Sequence, residues 1–180
     1  MIVKYKGDVL LLELSEKFWD CEFFDYKLEE LNLFGFSEET KETLMNCGLP
    51  KNHSIFKKKN IDFFEINKFQ EVIYKNENYT VIGRALGGFI SIHNMTQKLF
   101  SLSEDINYKI LINSKLKFFL LFHQIFYLEL EKVEDISEDE ACEKFGKELR
   151  KIFEDIDPIA MLDKESTWSR LIEEYENCLI

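Results

Sequence analysis

Glycine, proline and long apolar runs are all scarce in this sequence of 180 residues. It contains seven glycines and two prolines, with no stretch rich in glycine, serine or proline that would link separate domains. We therefore predict a single domain over residues 1–180. The most apolar run, residues 118–128, is broken by His123 and Gln124. It is far shorter than the roughly 20 residues of a membrane-spanning helix, so we expect no membrane partner.

The sequence also shows no export signal. Its first ten residues, MIVKYKGDVL, lack the apolar segment and the small-residue cleavage site of a signal peptide. The four cysteines are widely spaced and form no C-x-x-C pair; they are Cys21, Cys47, Cys142 and Cys178. In a protein that is not exported, such cysteines are expected to be reduced, buried thiols. The sequence thus predicts a cytoplasmic protein.

Negative charge is concentrated in the last third of the chain. Residues 1–128 carry 17 acidic and 16 basic side chains, a balance of −1, whereas residues 129–180 carry 17 acidic and 7 basic side chains, a balance of −10. A surface of that charge repels the phosphate backbone of nucleic acids and attracts basic proteins. We therefore expect a basic protein, and no nucleic acid, as the partner.

Two segments before residue 50 have the features of helices. Apolar residues recur at helical spacing within CEFFDYKLEELN, from Cys21 to Leu31, which predicts a helix there. The next segment, FSEETKETLMNCGLP, has clearer boundaries, because Ser37 is a suitable N-cap and Gly48, followed by a proline, is a suitable end. It predicts a second helix.

From residue 61 onward the apolar period changes to two. Six short β-prone runs follow, which are IDFFEI, QEVIY, YTVIGR, GFISIH, KLFSLS and YKILIN. Connections such as KNEN, ALGG and NMTQ are too short for parallel crossovers, so they predict antiparallel hairpins. Gly83, Gly87 and Gly88 lack the Lys-Ser/Thr pair of a phosphate-binding loop. We interpret them as turn or bulge glycines between two strands.

Three helices are predicted after the strands. SKLKFFLLFHQIFYLELEK is apolar on nearly all sides, which is typical of a helix buried against a sheet. SEDEACEKFGKELRKIFEDI begins with Ser137 and Glu140 at the spacing of a capping box, and STWSRLIEEYENCLI has one apolar face. The whole pattern predicts an α+β fold, with a central, mostly antiparallel twisted sheet flanked by N-terminal and C-terminal helices.

Residues that carry out catalysis or bind metals form no recognisable group. None of the three histidines lies within four residues of another histidine or a cysteine, whereas structural zinc sites use paired ligands at short spacing. We expect His123 to be a hydrogen-bonded core residue, and His93, on the same strand face as Ser91, is the better functional candidate. Asp155 and Asp157 have the spacing of divalent-ion ligands but also that of a solvated helix end. We predict no catalytic residue, metal or cofactor.

The run ELEKVEDISEDE holds the densest group of carboxylates in the chain. It lacks the central glycine and the ligand spacing of an EF-hand calcium loop. Such a run is usually a solvated face. The alternative is a docking surface for a basic protein, because opposite charge accelerates association. The residues that we predict to bind the partner are Glu131, Glu134, Asp135, Glu138, Asp139 and Glu140.

Five segments, in this order, carry a family resemblance: LMNCGLP, VIGRALGGFISIH, KLFSLSED, ILINSKLKFFLLF and DPIAMLDKESTWSRLIEEY. With them the chain resembles the SUKH superfamily of bacterial immunity proteins, which is related to the yeast cell-wall regulators Smi and Knr. Within the superfamily it is most similar to the subtype associated with secreted nucleic-acid deaminase toxins. The resemblance covers residues 37–175, leaves residues 1–36 outside, and implies a SUKH-like α+β domain.

The resemblance also implies a non-catalytic protein that binds and neutralises the cognate toxin of a polymorphic toxin system, with a nuclease or nucleic-acid deaminase as the expected toxin. An acidic protein suits such a toxin, whose nucleic-acid channel is basic. Two alternatives stay open. One is a scaffold or regulatory protein of the Smi/Knr type with several host partners. The other is a hydrolase that uses His93 or the pair Asp155 and Asp157. The oligomeric state is not predicted.

Overall fold

In the described part of the chain, helices precede and follow six strands that lie in the middle of the sequence. The computed structural model describes residues 18–19, 21–51, 53–54, 56, 60–85 and 87–180; the ten residues examined above for a signal peptide lie outside them. The helices are α1 (Leu28–Leu31), α2 (Glu38–Asn46), α3 (Leu116–Leu130), α4 (Asp139–Ile156), α5 (Pro158–Leu162) and α6 (Thr167–Glu176). The strands are β1 (Asp62–Phe63), β2 (Gln70–Tyr74), β3 (Glu77–Ala85), β4 (Gly88–His93), β5 (Leu99–Ser103) and β6 (Lys109–Asn113).

The six strands form one antiparallel sheet. Strands β3 to β6 pair in chain order, and β1 and β2 both pair with β3. A 3₁₀ turn at Ile66–Lys68 separates these two strands, so the edge of the sheet beside β3 consists of a two-residue and a five-residue piece. The predicted hairpins and the α+β fold are confirmed.

Glycines shape the hairpin of β3 and β4, as predicted from the sequence. Gly87 lies in the turn with φ +76°, a backbone conformation that side chains disfavour. A Cβ atom on Gly88 would overlap the backbone carbonyl oxygen of Leu102 on the neighbouring strand. The pairing register shifts between Val81 and Gly83, which is a β-bulge. These glycines therefore have structural roles.

One face of the sheet packs on the helices and forms the main core. Ile82, Ile90 and Ile92 on this face belong to the same buried cluster as Phe119 and Phe122 of α3. Helix α3 is buried on nearly all sides along its middle, which confirms the prediction for this apolar helix. On the opposite face of the sheet, a smaller cluster of Tyr74, Tyr79 and Leu102 is also buried.

The helix predicted under CEFFDYKLEELN is mostly wrong. Only Leu28–Leu31 is helical, and Phe23 instead forms an antiparallel bridge to Pro50. The backbone N–H of Phe24 donates to the carbonyl oxygen of Leu49 at 2.9 Å. Because these backbone groups are satisfied by the segment that follows α2, the helical spacing of the apolar residues does not decide the local structure.

Helix caps give one confirmed and one wrong prediction. The Ser37 hydroxyl accepts a hydrogen bond from the N–H of Thr40 at 3.2 Å, and Gly48, with φ +68°, follows the end of α2. In contrast, Ser137 does not cap α4, because its hydroxyl donates to Asp135 at 2.6 Å. The N-cap of α4 is Glu138, whose side chain makes no capping bond. A neighbouring carboxylate thus competes successfully for the serine.

None of the four cysteines, all of which lie in the described part of the chain, forms a disulfide, and only Cys142 is fully buried. Its Sγ donates to the carbonyl oxygen of Tyr175, and Sγ of Cys178 donates to the carbonyl oxygen of Asp139. The prediction of reduced thiols agrees with the structure. The prediction that all are buried is wrong, because the other three are half-exposed.

Candidate functional site

The six carboxylates that we predicted to bind a partner lie together on one exposed segment. We call residues 131–140 the acidic segment. It begins at Glu131, the C-cap of α3, and continues through the α3–α4 loop to Asp139 and Glu140 in the first turn of α4. All six carboxylate side chains are exposed, so the fold presents them to solvent as a continuous group.

Local interactions neutralise almost none of this charge. Asp135 accepts hydrogen bonds from the hydroxyl and the N–H of Ser137, and these bonds lower the pKa of its carboxyl group. The lysine of the segment, Lys132, forms an ion pair with Glu129, outside the group of six. Within the described part of the chain, no lysine or arginine forms an ion pair with any of the six carboxylates.

Part of the acidic segment also has a structural role. Asp139 and Glu140 lie in the first turn of α4, where negative charge interacts favourably with the helix dipole. This role does not extend to Glu131, Glu134 and Asp135, which precede the helix. The exposed loop carboxylates are therefore the members of the group that helix stability does not explain.

A groove of about 280 Å³ lies beside the acidic segment, between the end of α3 and the first half of α4. We call it the α3–α4 groove. Its lining residues are Glu129, Lys132, Val133, Ala141, Lys144, Phe145, Glu148 and Leu149. Sequence analysis did not identify it, although Ala141, Phe145 and Leu149 recur every four residues and so mark one face of α4. The same spacing is found on a helix face that packs into the core, so the sequence does not distinguish a groove-lining face from a core-facing one.

The two histidines considered above are both buried. Nδ1 of His123 lies 2.9 Å from the carbonyl oxygen of Phe119, which confirms a hydrogen-bonded core residue. Nδ1 of His93 lies 2.6 Å from the hydroxyl of Thr96, and burial lowers the pKa of its imidazole. The hydroxyl of Ser91 and Nε2 of His93 are buried and have no hydrogen-bond partner among the residues that the structure describes. The structure therefore does not join His93 to Ser91 as base and nucleophile.

Asp155 and Asp157 do not form a paired carboxylate site. Asp155 is exposed, whereas Asp157 is 1% exposed. Oδ2 of Asp157 accepts hydrogen bonds from Nδ2 of Asn113 at 3.1 Å and from the N–H of Ser114 at 2.8 Å. Among the described residues, no group of three or more His, Cys, Asp or Glu side chains could hold a metal ion. The carboxylate of Asp157 is instead engaged in structural bonds.

Asp157 belongs to a buried network that joins the sheet to the last helices. Asn113 ends β6, and its Oδ1 accepts a hydrogen bond from Nε1 of Trp168 on α6 at 3.0 Å. Asp157 also caps α5, where its Oδ1 accepts from the N–H of Ala160 at 3.4 Å. The network therefore fixes α5 and α6 against the end of β6.

A second group of titratable side chains lies on the other face of the sheet. Nζ of Lys109 donates to Oε2 of Glu77 at 2.7 Å and to the hydroxyl of Tyr79 at 2.6 Å. The hydrogen bond from Lys109 lowers the pKa of Glu77 to about 2. The ammonium also lies 4.9 Å from the ring centroid of Phe100. Lys109 lies on β6 and its partners lie on β3 and β5, so no local sequence pattern could predict this group.

The described helices include none that is both long enough and apolar enough to cross a membrane. Comparison of the chain with known proteins identifies one family. Residues 22–174 match the model of the SUKH-4 immunity protein family, and the match begins before the segments that carry the resemblance noted above. Searches of curated proteins and of solved structures gave no significant match. Because the matched region spans most of the chain, the protein belongs to the SUKH-4 immunity protein family.

Proposed function

We propose that this immunity protein neutralises a nuclease or nucleic-acid deaminase toxin by binding it in the cytoplasm, without catalysing a reaction. Nucleic acid is not a partner in this proposal. Membership of an immunity protein family supports the role of the chain. The observation that supports the kind of toxin is the acidic segment, whose six exposed carboxylates form no ion pair with any lysine or arginine that the structure describes. A toxin that acts on nucleic acid carries a basic channel, and opposite charges accelerate and orient such an association.

Four loop carboxylates provide the sharpest test. In one variant, Glu131, Glu134, Asp135 and Glu138 are replaced by lysine, while Asp139 and Glu140 in the first turn of α4 are kept. In the matched control, the same change is made at four exposed carboxylates elsewhere, Glu154, Asp155, Glu173 and Glu174. Both variants have the same net charge, so any difference between them reports on the position of the charges.

The partner is first captured with the tagged protein from a lysate of the native host and identified by mass spectrometry. Its affinity for the wild type and both variants is then measured at low and high salt. We expect the loop variant to lose at least about tenfold in affinity at low salt, a larger loss than that of the control. Equal losses in both variants would show that the acidic segment is not the contact. A partner without a basic surface would contradict the kind of toxin that we propose.

No observation in the structure favours the two alternative functions over this one. The hydrolase alternative depends on His93 or on the two aspartates, and hydrogen bonding engages His93 and Asp157 within the protein. The scaffold alternative predicts several unrelated host proteins in the same capture experiment. A single partner at a 1:1 ratio would argue against it.

A further inference from the structure

We propose that the α3–α4 groove receives an apolar side chain carried on a basic segment of the toxin. This inference rests on the proposed function, because the toxin is the partner. It adds a second contact of different chemistry to the acidic segment. In this arrangement the carboxylates attract and orient the partner, and the groove holds it.

The chemistry of the groove favours an apolar occupant. Its floor is made by Phe145 and Leu149, which are buried, and its walls include Val133 and Ala141, which are half-exposed. An apolar side chain inserted here would remove the walls from water and would contact the ring of Phe145. Such burial is worth about 25 cal/mol per Å² of apolar surface, and buried anchors of this kind supply most of the energy of many interfaces.

The charges around the groove favour a basic segment as the carrier of that side chain. Lys132 on the rim is neutralised by Glu129, and the remaining rim residues, Lys144 and Glu148, have opposite charges. The rim is therefore neutral by itself. The acidic segment, which includes Val133 and ends next to Ala141, adds six negative charges along one side. A segment rich in lysine or arginine would match this field, whereas an acidic segment would be repelled.

Filling the groove tests the inference without changing any charge. Ala141→Trp places a large ring in the groove from a half-exposed helix position, and Ala141→Ser at the same position leaves the groove open. Circular dichroism confirms that each variant is folded. With the captured toxin as the ligand, we expect Ala141→Trp to lower affinity about tenfold or more at both low and high salt, and Ala141→Ser to change it by less than about twofold. Unchanged affinity for the folded tryptophan variant would overturn the inference and leave the immunity function standing.

A second measurement needs neither a variant nor the toxin. Two short synthetic peptides of lysine and arginine, one with a central leucine and one with a central serine, are titrated into the ¹⁵N-labelled wild-type protein. We expect both peptides to shift the amide signals of the acidic segment, and only the leucine peptide to shift those of Ala141 and Phe145. If the two peptides gave the same shifts, the groove would not bind the apolar side chain. This result would stand even if the capture experiment found no toxin.

Discussion

Replacing Asp157 by alanine should destabilise the protein, because the buried network then loses the carboxylate that joins its members. The change removes the acceptor of two hydrogen bonds, from Asn113 at 3.1 Å and from Ser114 at 2.8 Å, and also the N-cap of α5. A buried donor left without an acceptor costs about 1–3 kcal/mol, and a lost N-cap costs about 1 kcal/mol. Because removal of a buried carboxylate also relieves its desolvation, we expect a net loss of about 3 kcal/mol in the free energy of unfolding.

Urea denaturation, followed by circular dichroism and tryptophan fluorescence, measures this loss. Asp155→Ala, two residues earlier on the exposed side of the chain, is the matched control and should change the free energy of unfolding by less than about 0.5 kcal/mol. Asp157→Asn keeps one acceptor oxygen and should lie between the two. A loss below about 1 kcal/mol for Asp157→Ala would show that the network does not hold the C-terminal helices in place.

Three further predictions concern the sheet and its turns. Lys109→Met removes the donor that lowers the pKa of Glu77, so this pKa should rise from about 2 towards 4.5 in an NMR titration of the carboxyl carbon. As the pH falls from 4.5 to about 2 and Glu77 becomes protonated, the wild type should accordingly lose stability, and the variant should lose less. An unchanged pKa of Glu77 in the variant would contradict the contact between Lys109 and Glu77. Gly88→Ala should lower the thermal unfolding midpoint more than Gly87→Ala, because a Cβ atom on Gly88 overlaps the backbone of Leu102, whereas one on Gly87 meets open space and adds only the strain of its positive φ; the reverse order would be inconsistent with the structure. Gln97→Ala removes three hydrogen bonds between the β4–β5 turn and the region of α2, as well as one within the turn, and should cost about 2 kcal/mol of stability in urea denaturation; a neutral effect would mean that this turn does not hold α2.

Local sequence rules predicted the parts of the fold that local forces determine. Ser37 caps α2 because its hydroxyl reaches an N–H three residues away, and the apolar residues of α3 leave that helix no stable place except the core. The alternating runs between residues 61 and 113 became strands, since short connections permit only antiparallel pairing. For these elements the decisive signal, a cap, a turn length or an apolar period, lies within one short segment of the sequence.

Prediction failed where distant or competing partners decide the structure. The segment near Phe23 pairs with residues around Pro50, and Ser137 bonds to Asp135 rather than to the helix. The network around Asp157 joins residues up to 55 positions apart, so its spacing carries no local signal. In the candidate site, the charges could be identified from the sequence, but the groove required the packing of α3 against α4.

The interrupted edge of the sheet also bears on the solubility of the protein. A free edge strand can template pairing with another copy of the chain and start a fibre. Here the 3₁₀ turn at Ile66–Lys68 divides the edge, so a second copy could pair continuously with no more than the five residues of β2. Exposed Glu71 and Lys75 place charges along or next to that piece, which further disfavours stacking. This edge of the sheet therefore offers a second copy of the chain only a short, charged template for pairing.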